Sequence, residues 1–194
     1  MGTVAIVAIG SSSTAGAYAS PGADYPSVMR GLLAAHPEVA AFTVYNKGRD
    51  GDDLRGTQSR LQTDVIDLHP RLVILQAGTN DAASPLDSDL QAYTDRLRSV
   101  VSQLKGVAQV VLMNGQHYAT EPAIYSRYVD AMETVSAEQN IPIFDRYGLM
   151  KSWVDTGTYK YADILASDSF HPDDFTYHCM GQVMAELTLA RTSR

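Results

Sequence analysis

Thr3-Val4-Ala5-Ile6-Val7-Ala8-Ile9-Gly10-Ser11-Ser12-Ser13-Thr14 is an uncharged apolar run that stops at a glycine and turns into hydroxyls. Its Val and Ile content and its glycine boundary make residues 3–9 a strand, and the serines after it a turn feeding a helix. Four later runs have the same character: residues 41–45, 72–76, 109–113 and 142–144. Between them the apolar positions change to helical spacing. Leu61, Val65 and Leu68 form one stripe. Leu90, Tyr93, Leu97, Val100, Val101 and Leu104 form a longer one that stops at Lys105-Gly106. Ile124, Tyr128, Ala131, Met132 and Val135 form a third, which Thr120-Glu121-Pro122 would open as cap and first turn. A last helix is expected from about Asp173, with Met180, Val183, Met184 and Leu187 inward. Residues 148–167 read as the least regular part.

Strand and helix alternating over the whole length predict an α/β fold: a five-stranded parallel sheet with helices on both faces, a three-layer α/β/α sandwich. The 194 residues suit one domain spanning 1–194, and no linker or repeat divides them. A hydrophobic fraction of 45% with 19% charged residues excludes intrinsic disorder. The balance of 15 basic against 22 acidic side chains, net −7, argues against nucleic acid as a partner, which would need clustered cations. Arg55, Arg60 and Arg71 read as scattered, solvated surface. No run approaches a membrane span. Cys179, the sole cysteine, implies no oxidising compartment. The location stays open: cytoplasmic as the chain stands, exported if a signal peptide has been removed.

In a doubly wound sheet the functional crevice lies beyond the carboxyl ends of the strands. Five blocks follow the five strands: Gly10-Ser11-Ser12-Ser13-Thr14, Asn46-Lys47-Gly48-Arg49-Asp50-Gly51, Gly78-Thr79-Asn80-Asp81, Asn114-Gly115-Gln116-His117 and Asp168-Ser169-Phe170-His171-Pro172. Together they supply what acyl transfer through a serine requires. A hydroxyl needs an imidazole to take its proton, and the imidazole needs a carboxylate to fix its tautomer. Asp168 and His171, three apart, can meet within one turn. The oxyanion needs preset N–H donors, which the Ser12 amide, the Gly48 amide and the Asn80 side chain can provide.

The order Ser, Gly, Asn, His resembles the SGNH, or GDSL-type, serine hydrolase superfamily, whose fold is flavodoxin-like and whose members cleave esters and thioesters. The resemblance spans the chain from Gly10 to His171 and implies no cofactor and no metal. It implies Ser12 as nucleophile, Asp168 and His171 as the rest of a triad, and Gly48 and Asn80 completing the oxyanion hole. One position departs: Ser11 stands where the superfamily's first block has Asp. Its hydroxyl is expected to cap the turn instead. Three consecutive serines leave Ser11 and Ser13 as alternatives to Ser12.

Gln116 and His117 are expected to line a substrate pocket, with a satisfied loop histidine as the alternative for His117. His36, His69 and His178 read as helix-end or surface residues. Asp50, Asp52 and Asp53 lack the spacing of a calcium loop. Trp153, Tyr118, Tyr159 and Tyr161 are candidate sugar-stacking rings or core. Short polar connections favour short acyl groups, such as O-acetyl on a carbohydrate, over fatty chains. The alternatives are a lysophospholipase or thioesterase of the same superfamily, and a non-catalytic domain in which the serine run cradles the phosphate of a flavin or the cleft binds a glycan.

Overall fold

Along β1 (Thr3–Gly10) side chains alternate, so Ile6 and Ala8 face one side of the sheet and Val7 and Ile9 the other, all four fully buried. A strand buried on both faces requires a layer of helices on each. The computed structural model describes residues 3–36, 41–83 and 86–192. The strands β1, β2 (Ala41–Gly48), β3 (Leu72–Gln76), β4 (Gln109–Met113) and β5 (Ile143–Phe144) make one wholly parallel sheet in the order β2-β1-β3-β4-β5. The chain therefore leaves β1 in one direction and returns past it in the other. The crevice of such a sheet opens where that reversal occurs, between β1 and β3.

One face carries α2 (Tyr25–Ala34) and α8 (Asp174–Thr192). There Tyr25, Met29, Leu33, Tyr177, Met180 and Met184 pack on Ile6, Ala8, Ile74, Val111 and Met113. The other face carries α5 (Asp87–Lys105) and α6 (Tyr125–Gln139), with Leu97, Val101, Leu104, Tyr128, Met132 and Val135 on Val7, Ile9, Val73, Leu75 and Leu112. A four-residue helix α1 (Ser12–Ala15) follows β1 directly. α3 (Leu54–Ser59), α4 (Leu61–Asp64) and α7 (Arg146–Asp155) complete the set.

The helices depart from the sequence expectation at three places. The Leu61–Val65–Leu68 stripe is not one helix but α4 followed by a 3₁₀ turn over Ile66–Leu68. The ladder breaks at Arg60 (φ −116°) and Val65 (φ −128°). α6 begins at Tyr125 rather than at the Thr120-Glu121-Pro122 block, because the Glu121 carboxylate is engaged by His117 and Tyr147. Residues 148–167 contain most of α7, capped by the Asp145 side chain on the Gly148 N–H at 2.8 Å. Two helix-breaking glycines at 148 and 157 hide it from a reading by spacing.

Candidate active site

Ser12 opens α1 immediately after the end of β1, and its side chain lies at the carboxyl edge of the sheet. The segment bearing His171 reaches it by folding back on itself. Ala166 N donates to His171 O at 2.8 Å, Asp173 N to Ile164 O at 3.3 Å, and Leu165 bridges Pro172. Inside this closed loop Ser169 takes a left-handed conformation, φ 58°. That turn brings the Phe170 and His171 amides onto Asp168 Oδ1, at 3.1 and 3.0 Å.

Asp168 Oδ2 then lies 2.6 Å from His171 Nδ1, and His171 Nε2 lies 2.8 Å from Ser12 Oγ. A carboxylate accepts only, so Nδ1 carries the proton toward Asp168 and Nε2 presents a lone pair to the hydroxyl. Burial alone would raise the Asp168 pKa. The hydrogen bond from the His171 ring, with the His171 and Phe170 amides, outweighs it and holds the carboxyl below its ordinary range.

All four hydroxyls in the serine run are engaged. Ser12 meets His171. Ser11 Oγ donates to Gln76 Oε1 at 3.0 Å, Thr14 Oγ1 to the same atom at 3.2 Å, and Ser13 Oγ to Gln116 Oε1 at 3.1 Å. The expectation that Ser11 caps α1 is corrected: its side chain makes no cap bond and ties β1 to the end of β3 instead. The same bonds bear on the phosphate-cradle alternative, because the hydroxyls that would hold a flavin phosphate are already spent on protein partners.

Among the donors expected at the oxyanion, the Ser12 N–H has no partner among the described residues. Asn80 Nδ2 donates to Asp52 O at 2.7 Å, which orients the amide and leaves its second N–H. The Gly48 N–H donates to Asn46 Oδ1 at 2.9 Å. Gly48 has a separate need to be glycine: a Cβ there would sit 1.9 Å from the Ala15 amide nitrogen, so α1 lies directly against the end of β2.

Two buried arginines brace this edge. Arg60, 6% exposed, donates to Gly10 O at 3.0 Å and Lys47 O at 2.7 Å, and pairs with Asp52 at 2.7 Å and Asp64 at 2.9 Å. Its reading as solvated surface is thus overturned, whereas Arg55 and Arg71 are exposed. Its inward turn is also what interrupts the helical ladder between α3 and α4. Arg146, 1% exposed, donates to Asn114 O at 3.1 Å and Gln116 Oε1 at 3.0 Å. Burial lowers its pKa, and no carboxylate among the described residues pairs with it.

Gln116 was expected to line the substrate pocket. It is fully buried, linking Ser13, Arg146 and the Phe170 carbonyl at 3.4 Å. His117 has both ring nitrogens occupied: Nδ1 lies 3.1 Å from Glu121 and Nε2 2.8 Å from the Tyr161 hydroxyl. It clasps the 3₁₀ turn Tyr161–Asp163 to the loop after β4, so the satisfied-histidine reading describes it. Tyr118 is 7% exposed and packs edge-on against Phe170, while Tyr159 packs with Trp153 and Phe175. Trp153, Tyr159 and Tyr161 are half-buried. The exposed ring beside His171 is Tyr18, which the sequence reading passed over.

Asp52 is spent on Arg60, and Asp53 caps α3 through the Gly56 N–H at 2.7 Å. Among the described residues no cluster of His, Cys, Asp or Glu could hold a metal ion, and no helix is long and apolar enough to cross a membrane. Asn80 borders a cavity of about 430 Å³ that Asp53, Arg55, Asp81, Tyr93 and Arg96 help to line. Burial raises the Asp81 carboxyl to about 6, against the hydrogen bonds it accepts from Leu54 N and Gly78 N.

The sequence model of the Non-GDSL lipase-like family matches residues 1–194. The chain belongs to that family. That family is described as lipase-like. The family's description agrees with the one departure in the sequence, Ser11 in place of Asp. An uncharacterized lipoprotein of Bacillus subtilis (strain 168), YqeF, is 25% identical over 171 residues, 73% of this chain and 70% of that protein. Among solved structures, the acetylxylan esterase Axe2 from Geobacillus stearothermophilus superposes with a TM-score of 0.76 at 24% identity, covering 98% of this chain and 94% of that one. A lipase/acylhydrolase from Enterococcus faecalis gives a TM-score of 0.81 at 22% identity, covering 97% and 96%. At these identities the likeness is one of fold.

Proposed function

We propose that this protein hydrolyses short-chain acyl esters, O-acetylated carbohydrate foremost, through a covalent acyl-enzyme on Ser12. The observation that carries the reading is the continuous path from Asp168 to His171 Nδ1, across the ring to Nε2, and on to Ser12 Oγ, with steps of 2.6 and 2.8 Å.

His171 Nε2 takes the Ser12 proton as Oγ attacks the ester carbonyl, and Asp168 stabilises the imidazolium that forms. The negative oxygen of the tetrahedral adduct meets the Ser12 N–H and the second N–H of Asn80. The Gly48 N–H joins them by sharing or leaving the Asn46 oxygen. His171 then returns its proton to the departing alcohol. In the second half the same imidazole takes a proton from water, which attacks the acyl-enzyme, releases the acid and restores Ser12. No metal or cofactor enters any step.

Short, hydroxyl-rich substrates are favoured over fatty esters by the cavity beside Asn80, whose lining includes Asp53, Arg55, Asp81 and Arg96. Burying a long acyl chain against such charged groups would strip them of water at a cost in free energy. That the similarly folded Axe2 is an acetylxylan esterase agrees with this preference.

The test is hydrolysis of 4-nitrophenyl esters of rising chain length by wild type and Ser12→Ala. Acetate should be turned over fastest and octanoate slowest, and Ser12→Ala should lose at least ~10³-fold in kcat. Undiminished turnover by Ser12→Ala would overturn the mechanism. A preference for octanoate would move the substrate class to the lysophospholipase or thioesterase side.

A further inference from the structure

Tyr18 is 59% exposed, yet its backbone is held in the left-handed region at φ 64°, a conformation that strains any residue with a Cβ. The residues on either side of it are tied down. The Tyr177 hydroxyl donates to Ala17 O at 2.9 Å, Ser20 N donates to Asp174 Oδ1 at 2.8 Å, and Ala19 N donates to Gly16 O at 3.0 Å. The first two partners belong to α8, so a helix of the rigid body fixes a short loop that carries one aromatic ring outward. That ring stacks on the triad imidazole, centroids 5.4 Å apart and planes 20° from parallel. Phe170 meets the same imidazole edge-on at 4.8 Å. A ring this exposed gains little from its own burial, so the strain is not explained by packing.

We propose that Tyr18 is the leaving-group subsite: its inner face covers the His171 ring and its outer face receives the sugar ring of the acylated alcohol. The proposal rests on the esterase reading above and extends it to a residue and a ligand class. His171 must hand its proton to the alcohol oxygen, so the alcohol has to lie beside the imidazole. A flat aromatic face lying over that imidazole offers the apolar C–H face of a pyranose a surface there. Because the alcohol departs when the acyl-enzyme forms, Tyr18 serves acylation and has no part in deacylation.

Two esters with a common acyl group separate this from a structural role: an acetylated methyl pyranoside and ethyl acetate. Tyr18→Ala should lower kcat/KM for the pyranoside roughly threefold to tenfold, chiefly through KM, while ethyl acetate changes less than twofold. Tyr18→Trp should restore the pyranoside rate. Equal losses on both esters would overturn the proposal, since they would place the effect on the imidazole or on folding. No loss on either would overturn it as well. A binding arm stands apart from turnover: NMR titration of the same pyranoside into Ser12→Ala, with and without Tyr18→Ala. A weakening of about threefold to tenfold supports the subsite, and unchanged affinity overturns it. A wild type that hydrolyses neither ester would overturn the esterase reading instead, with the titration still deciding the role of Tyr18.

Discussion

Asp81 and Asp168 are both partly buried carboxylates at the same sheet edge, and acid should affect them in opposite senses. Burial raises Asp81 to about 6, so the folded state binds its proton more tightly than the unfolded chain does. Between pH 4 and 6 its contribution to stability therefore grows as pH falls, by roughly 1–3 kcal/mol at the acid end. Asp168 is held below the ordinary range, so its contribution survives into acid and is lost only below about pH 4. Thermal unfolding of wild type and Asp81→Asn across pH 4 to 7 checks this: the variant should lack the gain on acidification. For turnover, Asp168→Asn should cost roughly 10³–10⁴-fold in kcat, because the amide no longer fixes the imidazole tautomer or stabilises its cation. Assays on acetate esters at fixed pH read that loss directly.

At this scale Ser12 was legible as a candidate because its polar block directly follows an apolar run, and Asp168 and His171 because they stand three apart beyond the irregular stretch 148–167. Gln116, His117 and Tyr18 were not. The task of Gln116 depends on Arg146, that of His117 on Glu121 and Tyr161, and that of Tyr18 on His171. Those partners come together only through tertiary folding, and local pattern carries no trace of them.

Among the elements, the serine turn and the end of β2 are held by a cation that a sequence reading assigns to solvent. Arg60 accounts for both the interrupted helix and the fixed carbonyls of Gly10 and Lys47. Replacing it with Ala would strand the Asp52 carboxylate, 13% exposed, and leave the Asp64 carboxylate, 18% exposed, with only Lys47 at 3.4 Å and Arg49 at 3.9 Å as cationic partners. Arg60→Ala should thus lose about 3–5 kcal/mol in urea unfolding, well beyond a surface arginine. Arg55→Ala, on an exposed side chain, should stay within about 0.5 kcal/mol in the same measurement. The strands β1, β3 and β4 were readable nearly to the residue, since a doubly buried strand must be apolar and end in turn residues, whereas β2, only partly buried, runs three residues beyond the expected 41–45 to Gly48. The helices α2, α3 and α7 were not. α7 carries Gly148 and a buried Arg146 within its ten residues, so its apolar stripe is too broken to show.

For the whole molecule, the alternation along β1 and the strand–helix order already implied the three layers. The strand order β2-β1-β3-β4-β5 follows from right-handed crossovers on both sides of β1. What the layers achieve is spatial: they bring a hydroxyl from the start of the chain to an imidazole near its end. The most direct test of that arrangement is to react the protein with a fluorophosphonate and locate the adduct by peptide mass mapping. One adduct on Ser12, absent from His171→Ala, is the predicted result. Modification of Ser11 or Ser13, or labelling of Ser12 at an unchanged rate without His171, would contradict it.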